Sequence, residues 1–278
     1  MRKTILSLFV GLLVFNLLLS CKQTQTENIA PHSKEVKFNN KGHELVFKLA
    51  SRLGDLETLK SKKGVVYNYT YITPKKEVDS VTEKYLFNQE LSLGIYHKSG
   101  RSFPEFKGPV YTGFDGENYW LKNGNESITD SKTIEKVVFK RRTNFYWFVL
   151  FQKLASDYLL HEYLGKQIHN GKTYDIVKVT YPNTIGMPVD TYQLFINQET
   201  GLVDQFLFTV VDYGVVDTPF LMQLEYEEVE GVIIPTKRRY KMSNWDAIVD
   251  DKDWISVNWF NINFEPNMKK SDFSELTY

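Results

Sequence analysis

Five histidines, His32, His43, His97, His161 and His169, are the side chains best suited to acid–base or metal chemistry near neutral pH. No two of them stand at the spacing of a shared metal site, and His161-Glu162 lacks the second histidine of a zincin motif. Each reads as a solvated or simply hydrogen-bonded histidine. The sequence has no G-x-S-x-G nucleophile elbow, no Walker A loop and no dinucleotide fingerprint. Gly113, Gly116 and Gly124 are spaced as turn residues, not as a phosphate cradle. Carboxylates cluster in EYEEVEG (225–231) and VDDKD (249–253), and both runs read as solvated. Asp250, Asp251 and Asp253 lack the glycine and the closing glutamate of a calcium loop. The basic runs Lys140-Arg141-Arg142 and Lys237-Arg238-Arg239 read as surface charge, with a lipid headgroup contact as the sharper alternative. No catalytic residue, cofactor or metal site is expected, and a hydrolase is the least favoured function.

Covalent chemistry is expected at one residue. Cys21 is the only cysteine, so it makes no intramolecular disulfide. It follows Arg2, Lys3 and an apolar stretch over 5–19 that is broken only by Ser7, Gly11 and Asn16. This is the plan of a secretory signal ending in a bacterial lipobox, Leu18-Leu19-Ser20-Cys21. The stretch is short for the roughly 20 residues of a spanning helix. Cleavage after residue 20 and lipidation of Cys21 are expected, with a membrane as partner through the acyl chains. Each buried methylene contributes about 0.8 kcal/mol. The expected location is the envelope of a Gram-negative bacterium. Residues 21–40 are polar and read as a flexible tether, and 41–278 as a single domain. Without Arg2 and Lys3, the 34 basic residues fall to 32 against 34 acidic ones, a charge of −2. That balance gives no electrostatic case for nucleic acid.

The segment NFYWFVLFQKLASDYLL (144–160) is the most apolar part of the remaining chain. Helical spacing puts Trp147, Phe151, Leu154 and Tyr158 on one face, with Phe148, Ala155 and Leu159 beside it. Gln152, Lys153 and Asp157 interrupt it too often for a membrane span. It is either ordinary core or a lid whose aromatics face an apolar ligand.

The surrounding periodicity shows what positions this segment. Leu45, Leu49, Leu53, Leu56 and Leu59 predict an amphipathic helix over 45–60. Period-two patterns predict strands near 65–72, 84–97, 173–181, 190–197, 202–212, 219–229, 232–243 and 254–265, with a hairpin over 109–122 turning at Asp115-Gly116. Thr129, Asp130 and Ser131 offer N-caps for one or two helices over 132–164, breaking near 140–144. About nine or more antiparallel strands follow. Phe206, Phe208, Val210, Phe220, Met222 and Leu224 fall on one face, and Gln205, Thr209, Gln223 and Glu225 on a mostly wet one. The apolar face needs a cover, and only the two helical regions can supply it.

The segments FDGENYWLKNG (114–124), NFYWFVLFQKLASDY (144–158), 171–210 and EYEEVEGVIIPTKRRY (225–240) resemble the outer-membrane lipoprotein carrier superfamily, the LolA/LolB-like half-barrels. Within it they resemble a group of bacterial lipoproteins for which no activity is implied. The chain departs from that group at Ser156-Asp157-Tyr158 and at Met187-Pro188, so no role is carried over to those positions. The resemblance implies an α+β, mainly β fold: an antiparallel half-barrel sheet wrapped around an N-terminal helix and a central helical plug or lid. Characterised relatives take acyl chains in the cavity between. The resemblance also implies outer-membrane delivery from Lys22 after the cysteine. The expected function is non-enzymatic binding of a lipid or other apolar ligand. The expected lining is Trp147, Phe148, Phe151, Phe206, Phe208, Phe220, Met222 and Leu224. The alternative is a structural or interaction module with a filled core, its protein partner unidentified.

Overall fold

A computed structural model describes residues 37–183 and 188–275. Cys21, the signal-like segment and residues 22–36 of the tether lie outside them. Helix α1 (Lys41–Leu53) starts at Asn40, whose side chain accepts from the His43 amide. It buries Val46, Leu49 and Leu53. The helix predicted over 45–60 is in fact two. Gly54 ends α1 at φ 99°, and Asp55 caps α2 (Leu56–Ser61) by accepting from the Thr58 amide.

Thirteen strands follow among the described residues: β1 (Gly64–Ile72), β2 (Val78–Leu86), β3 (Leu91–Ser99), β4 (Val110–Phe114), β5 (Tyr119–Asn123), β6 (Glu126–Ile128), β7 (Leu160–His169), β8 (Lys172–Thr180), β9 (Thr191–Asn197), β10 (Val203–Val210), β11 (Val215–Val229), β12 (Val232–Met242) and β13 (Ile255–Phe264). They form one antiparallel sheet in the order β6-β5-β4-β3-β2-β1-β13-β12-β11-β10-β9-β8-β7. The expected α+β, mainly β half-barrel is the fold observed. Two strand boundaries differ from expectation. The strand predicted over 84–97 is two strands, because Phe87–Gln89 and the left-handed Glu90 turn the chain back. Residues 160–164, predicted helical, begin β7, where they pair with β8.

Strand order dictates where the helices lie. Every connection joins neighbouring strands except β6 to β7, which occupy opposite edges of the sheet. Between them the chain must cross the sheet, and it does so as α3 (Ser131–Phe148) and α4 (Leu150–Leu154). Asp130 caps α3 through the Thr133 amide at 2.9 Å. The predicted break at 140–144 does not occur. Lys140 and Arg141 are buried there, and the helix continues to Phe148.

The apolar strand face predicted from alternation is the one the helices cover. Cross-strand pairs Phe206↔Met222, Phe208↔Phe220 and Phe206↔Leu194 set its register. Phe151 and Leu154 of α4 and Leu49 and Leu53 of α1 pack on it. The opposite face is not mostly wet: Gln193, Gln205 and Thr209 are buried there. The segment after β12 folds over that face, and Trp245, Ala247, Val249 and Trp254 pack on Ile176, Phe195, Leu207 and Leu221. The VDDKD run therefore belongs to a cover with an apolar underside.

Candidate binding cavity

Helix α3 turns a mixed stripe toward the sheet. Lys140, Thr143, Asn144 and Trp147 recur at three- and four-residue spacing and line one cavity of about 440 Å³. The facing wall comes from β1, β10, β11, β12 and β13. Tyr67, Tyr69 and Tyr71 alternate along β1, joined by Phe208, Phe220 and Met222 on one side and Trp259 on the floor. The volume falls in the roughly 300–1,000 Å³ range of small-molecule sites. A larger cleft of about 690 Å³ flanks the other side of α3. Charged groups including Glu135, Asp190, Asp212 and Arg142 line it, and Tyr181 donates to Tyr146 across it at 2.9 Å. Its mixed charge suits an apolar ligand less well than the aromatic walls of the smaller cavity.

The basic runs expected on the surface supply buried side chains around this cavity. Arg141 is 1% exposed and makes a two-pronged ion pair with Glu83 of β2, at 2.6 and 2.8 Å. Asn144 donates to the same carboxylate at 2.9 Å. Burial opposes the Arg141 charge, but Glu83 outweighs it and holds the guanidinium pKa well above its ordinary value. The fit requires a glycine: a Cβ at Gly94 would lie 2.6 Å from the Arg141 guanidinium. Arg238 of β12 is also buried. Its Nε donates to the Pro235 carbonyl at 3.0 Å, and it reaches the Trp147 carbonyl at 3.4 Å. The guanidinium lies 3.5 Å over the Trp259 ring. It thus caps the C-terminal end of α3, where the helix dipole favours a cation. Burial pulls its pKa down to about 10.

Lys140 is the most exposed to electrostatic cost. Its Nζ donates to Ser102 Oγ at 2.7 Å, and Ser102 Oγ donates to Asp79 at 2.5 Å. Asp79 is fully buried and also accepts from the Arg101 and Ser102 amides, each at 3.0 Å. Burial first, then the neighbouring Arg101, lowers the Lys140 pKa to about 7, against the pull of Asp79. The folded chain therefore binds fewer protons at Lys140 than the unfolded chain between about pH 7 and 10, and stability rises with pH there. Lys140→Met removes this dependence. Denaturant unfolding should find the variant more stable than the parent below about pH 7. The parent should then gain on it at up to about 1.4 kcal/mol per pH unit above that. Parallel pH profiles would show that Lys140 keeps an ordinary pKa.

Four of the expected lining residues, Trp147, Phe208, Phe220 and Met222, reach the cavity. The other four pack against protein. Phe148 stacks on Trp259 at 5.4 Å, Phe151 meets Phe206 edge-on at 5.9 Å, and Leu224 packs against the same cluster as Phe206. Cys21 lies outside the described residues. Tyr67, Tyr69, Tyr71, Arg101, Lys140, Arg238, Tyr240 and Trp259 line the cavity without having been expected there. Only the tyrosine alternation in β1 was a usable signal. Of the histidines, His43 and His161 are buried and stacked at 4.9 Å, and His161 Nε2 bonds the Leu154 carbonyl at 2.7 Å. Burial lowers the His161 pKa, and the neighbouring His43 adds to that. His97 contacts the Thr82 hydroxyl at the surface. Among the described residues, no group of three or more histidine, cysteine or acidic side chains is placed to hold a metal ion.

No family model matches the sequence, and no curated protein matches it. Solved structures do. A LolA superfamily protein, NE2245 from Nitrosomonas europaea, aligns over 85% of this chain and 99% of its own, at 11% identity and a TM-score of 0.50. A putative outer membrane lipoprotein-sorting protein domain from Vibrio parahaemolyticus aligns over 85% and 97%, at 9% identity and a TM-score of 0.49. A DUF1329 family protein from Desulfovibrio piger aligns over 86% and 99%, at 11% identity and a TM-score of 0.49. The chain has the LolA-like half-barrel fold, as the likeness to the Nitrosomonas protein shows.

Proposed function

We propose that the protein is a non-enzymatic lipoprotein of the bacterial envelope, anchored through a lipidated Cys21, that binds a lipid or other apolar ligand between α3 and the sheet. The observation that carries this is the 440 Å³ cavity walled by Trp147, Phe208, Phe220, Met222 and Trp259. Large aromatic side chains with one side on a void forgo packing contacts there that a bound alkyl chain would restore. The half-barrel fold supports the same function by analogy. Among the described residues no helix is long and apolar enough to cross a membrane, and Cys21 would supply the attachment.

Native mass spectrometry of protein purified without detergent should show a bound lipid, and Met222→Trp, which narrows the cavity, should reduce it. Intact mass should also show diacylglycerol on Cys21 and loss of residues 1–20. Empty protein that takes up no fluorescent fatty acid would overturn the binding function, and an unmodified Cys21 would overturn the anchor. The alternative, a structural module with a filled core, draws on the close packing of Phe148, Phe151 and Phe206. It predicts empty protein in the same experiment.

A further inference from the structure

Polar groups in the cavity are one-sided in charge. Arg101, Lys140 and Arg238 line it, and among the described residues no aspartate or glutamate does. Each cation is accounted for differently. Arg238 is committed to the Pro235 and Trp147 carbonyls and to the Trp259 ring. Arg101 lies 3.8 Å over the Tyr71 ring and 3.8 Å from Asp79. Lys140 donates to Ser102, and no carboxylate lies within ion-pair distance of it among the described residues. Among the described residues, Asp79 is the acidic group close to both Arg101 and Lys140, and four donors already share it: two amides, the Ser102 hydroxyl and the Arg101 guanidinium. Burying a cation without a compensating anion is costly. Here two cations share one anion, so the cavity carries an excess of positive charge at the end where Arg101 and Lys140 meet.

Polarity is graded along the cavity. Lys140 and Trp147 are seven residues apart on α3, about 10 Å along the helix axis. At the Lys140 end stand Arg101, Thr73 and the hydrogen-bonded hydroxyls of Tyr71 and Tyr240. Arg101 keeps 29% of its side chain exposed, so this end opens to solvent. Toward Trp147 the walls become Phe208, Phe220, Met222 and Trp259. Arg238 also stands near Trp147, but two carbonyls and the Trp259 ring already hold it. Uncommitted positive charge at the open end, and aromatic rings toward Trp147, match a molecule with an anionic head and a single apolar chain.

We propose that the cavity takes a single-chain anionic amphiphile, its carboxylate or phosphate held by Arg101 and Lys140 and its chain running toward Trp147, Phe220 and Met222. This rests on the binding function proposed above and adds the charge and orientation of the ligand. Charge-assisted hydrogen bonds to a buried or half-buried cation are about twice as strong as neutral ones. An anionic head should therefore be preferred over a neutral head on the same chain.

Equilibrium dialysis of the protein against radiolabelled dodecanoate, dodecyl phosphate and dodecanol tests this at about pH 6.5, where Lys140 is mostly protonated. Either or both anions should bind about ten-fold or more tightly than the alcohol, and their ratio says which head chemistry is favoured. Lys140→Met and Arg101→Gln should each reduce anion binding toward the level of dodecanol. Each should weaken dodecanol binding far less than anion binding, and the dodecanol that remains bound reports a folded cavity. Arg101 is partly exposed, so its variant keeps the test available should Lys140→Met not fold. Dodecanol binding as tightly as both anions would overturn the anionic assignment and leave the binding function standing. Binding of none of the three would overturn both.

Discussion

Arg141→Met is expected to destabilise the protein by about 3–5 kcal/mol. The substitution leaves the Glu83 carboxylate buried with Asn144 as its remaining side-chain donor. Removing one partner of a buried pair strands the other charge, and that stranded charge accounts for most of the loss. Chemical denaturation of parent, Arg141→Met, Glu83→Met and the double variant measures it. The double variant should recover much of the stability lost in either single one, because no charge is then left buried alone. Loss of less than about 1 kcal/mol in Arg141→Met would mean that Glu83 reaches water. Position also matters. Arg141 joins the middle of α3 to β2 across the sheet, and Gly94 leaves room for it, so the pair fixes where the helix lies over the cavity.

Two adjacent residues of α3 should respond in opposite ways. Phe148→Ala is expected to cost about 3–5 kcal/mol and to leave ligand binding nearly unchanged when the protein is folded. Its ring is enclosed by Trp259 and Tyr67 at 5.4 Å, Tyr85 at 5.6 Å and Phe87 at 5.8 Å. Trp147 is half-buried, touching Phe208 at 5.1 Å on one side and the cavity on the other. Trp147→Ala should cost less than about 2 kcal/mol, within the ordinary range for single substitutions. It should also weaken dodecanol binding severalfold, because it removes a wall. Thermal unfolding together with dialysis separates the two. Equal destabilisation by both variants, with no change in binding, would favour the filled-core module.

How much of this was legible beforehand differs from element to element. The Asp115-Gly116 hairpin formed as expected, because the Asp115 side chain closes its own turn on the Glu117 and Asn118 amides at 2.9 and 2.8 Å. The apolar faces of β10 and β11 also came out as expected, although the face opposite them is covered and not wet. Alternation is a property of the strand backbone and does not depend on what lies opposite. The split of residues 84–97 into two strands was hidden because Phe87 continues the apolar pattern through the turn. The helical spacing at 144–160 likewise could not show which of Trp147 and Phe148 would face a void, since both lie on apolar sides of the same helix.

Local periodicity, caps and turns were therefore determined by the sequence by itself, as was the need for helices to cover one face of the sheet. Each of these depends on residues a few positions apart, and backbone geometry relates them directly. The tertiary structure alone decided the fate of Lys140, Arg141 and Arg238. In sequence they belong to ordinary basic runs, and a charged side chain stays in water unless a partner reaches it. Glu83, 58 positions from Arg141, and Ser102, 38 positions from Lys140, arrive only when the sheet has formed and α3 has crossed it. The positive cavity beneath α3 follows from those distant encounters.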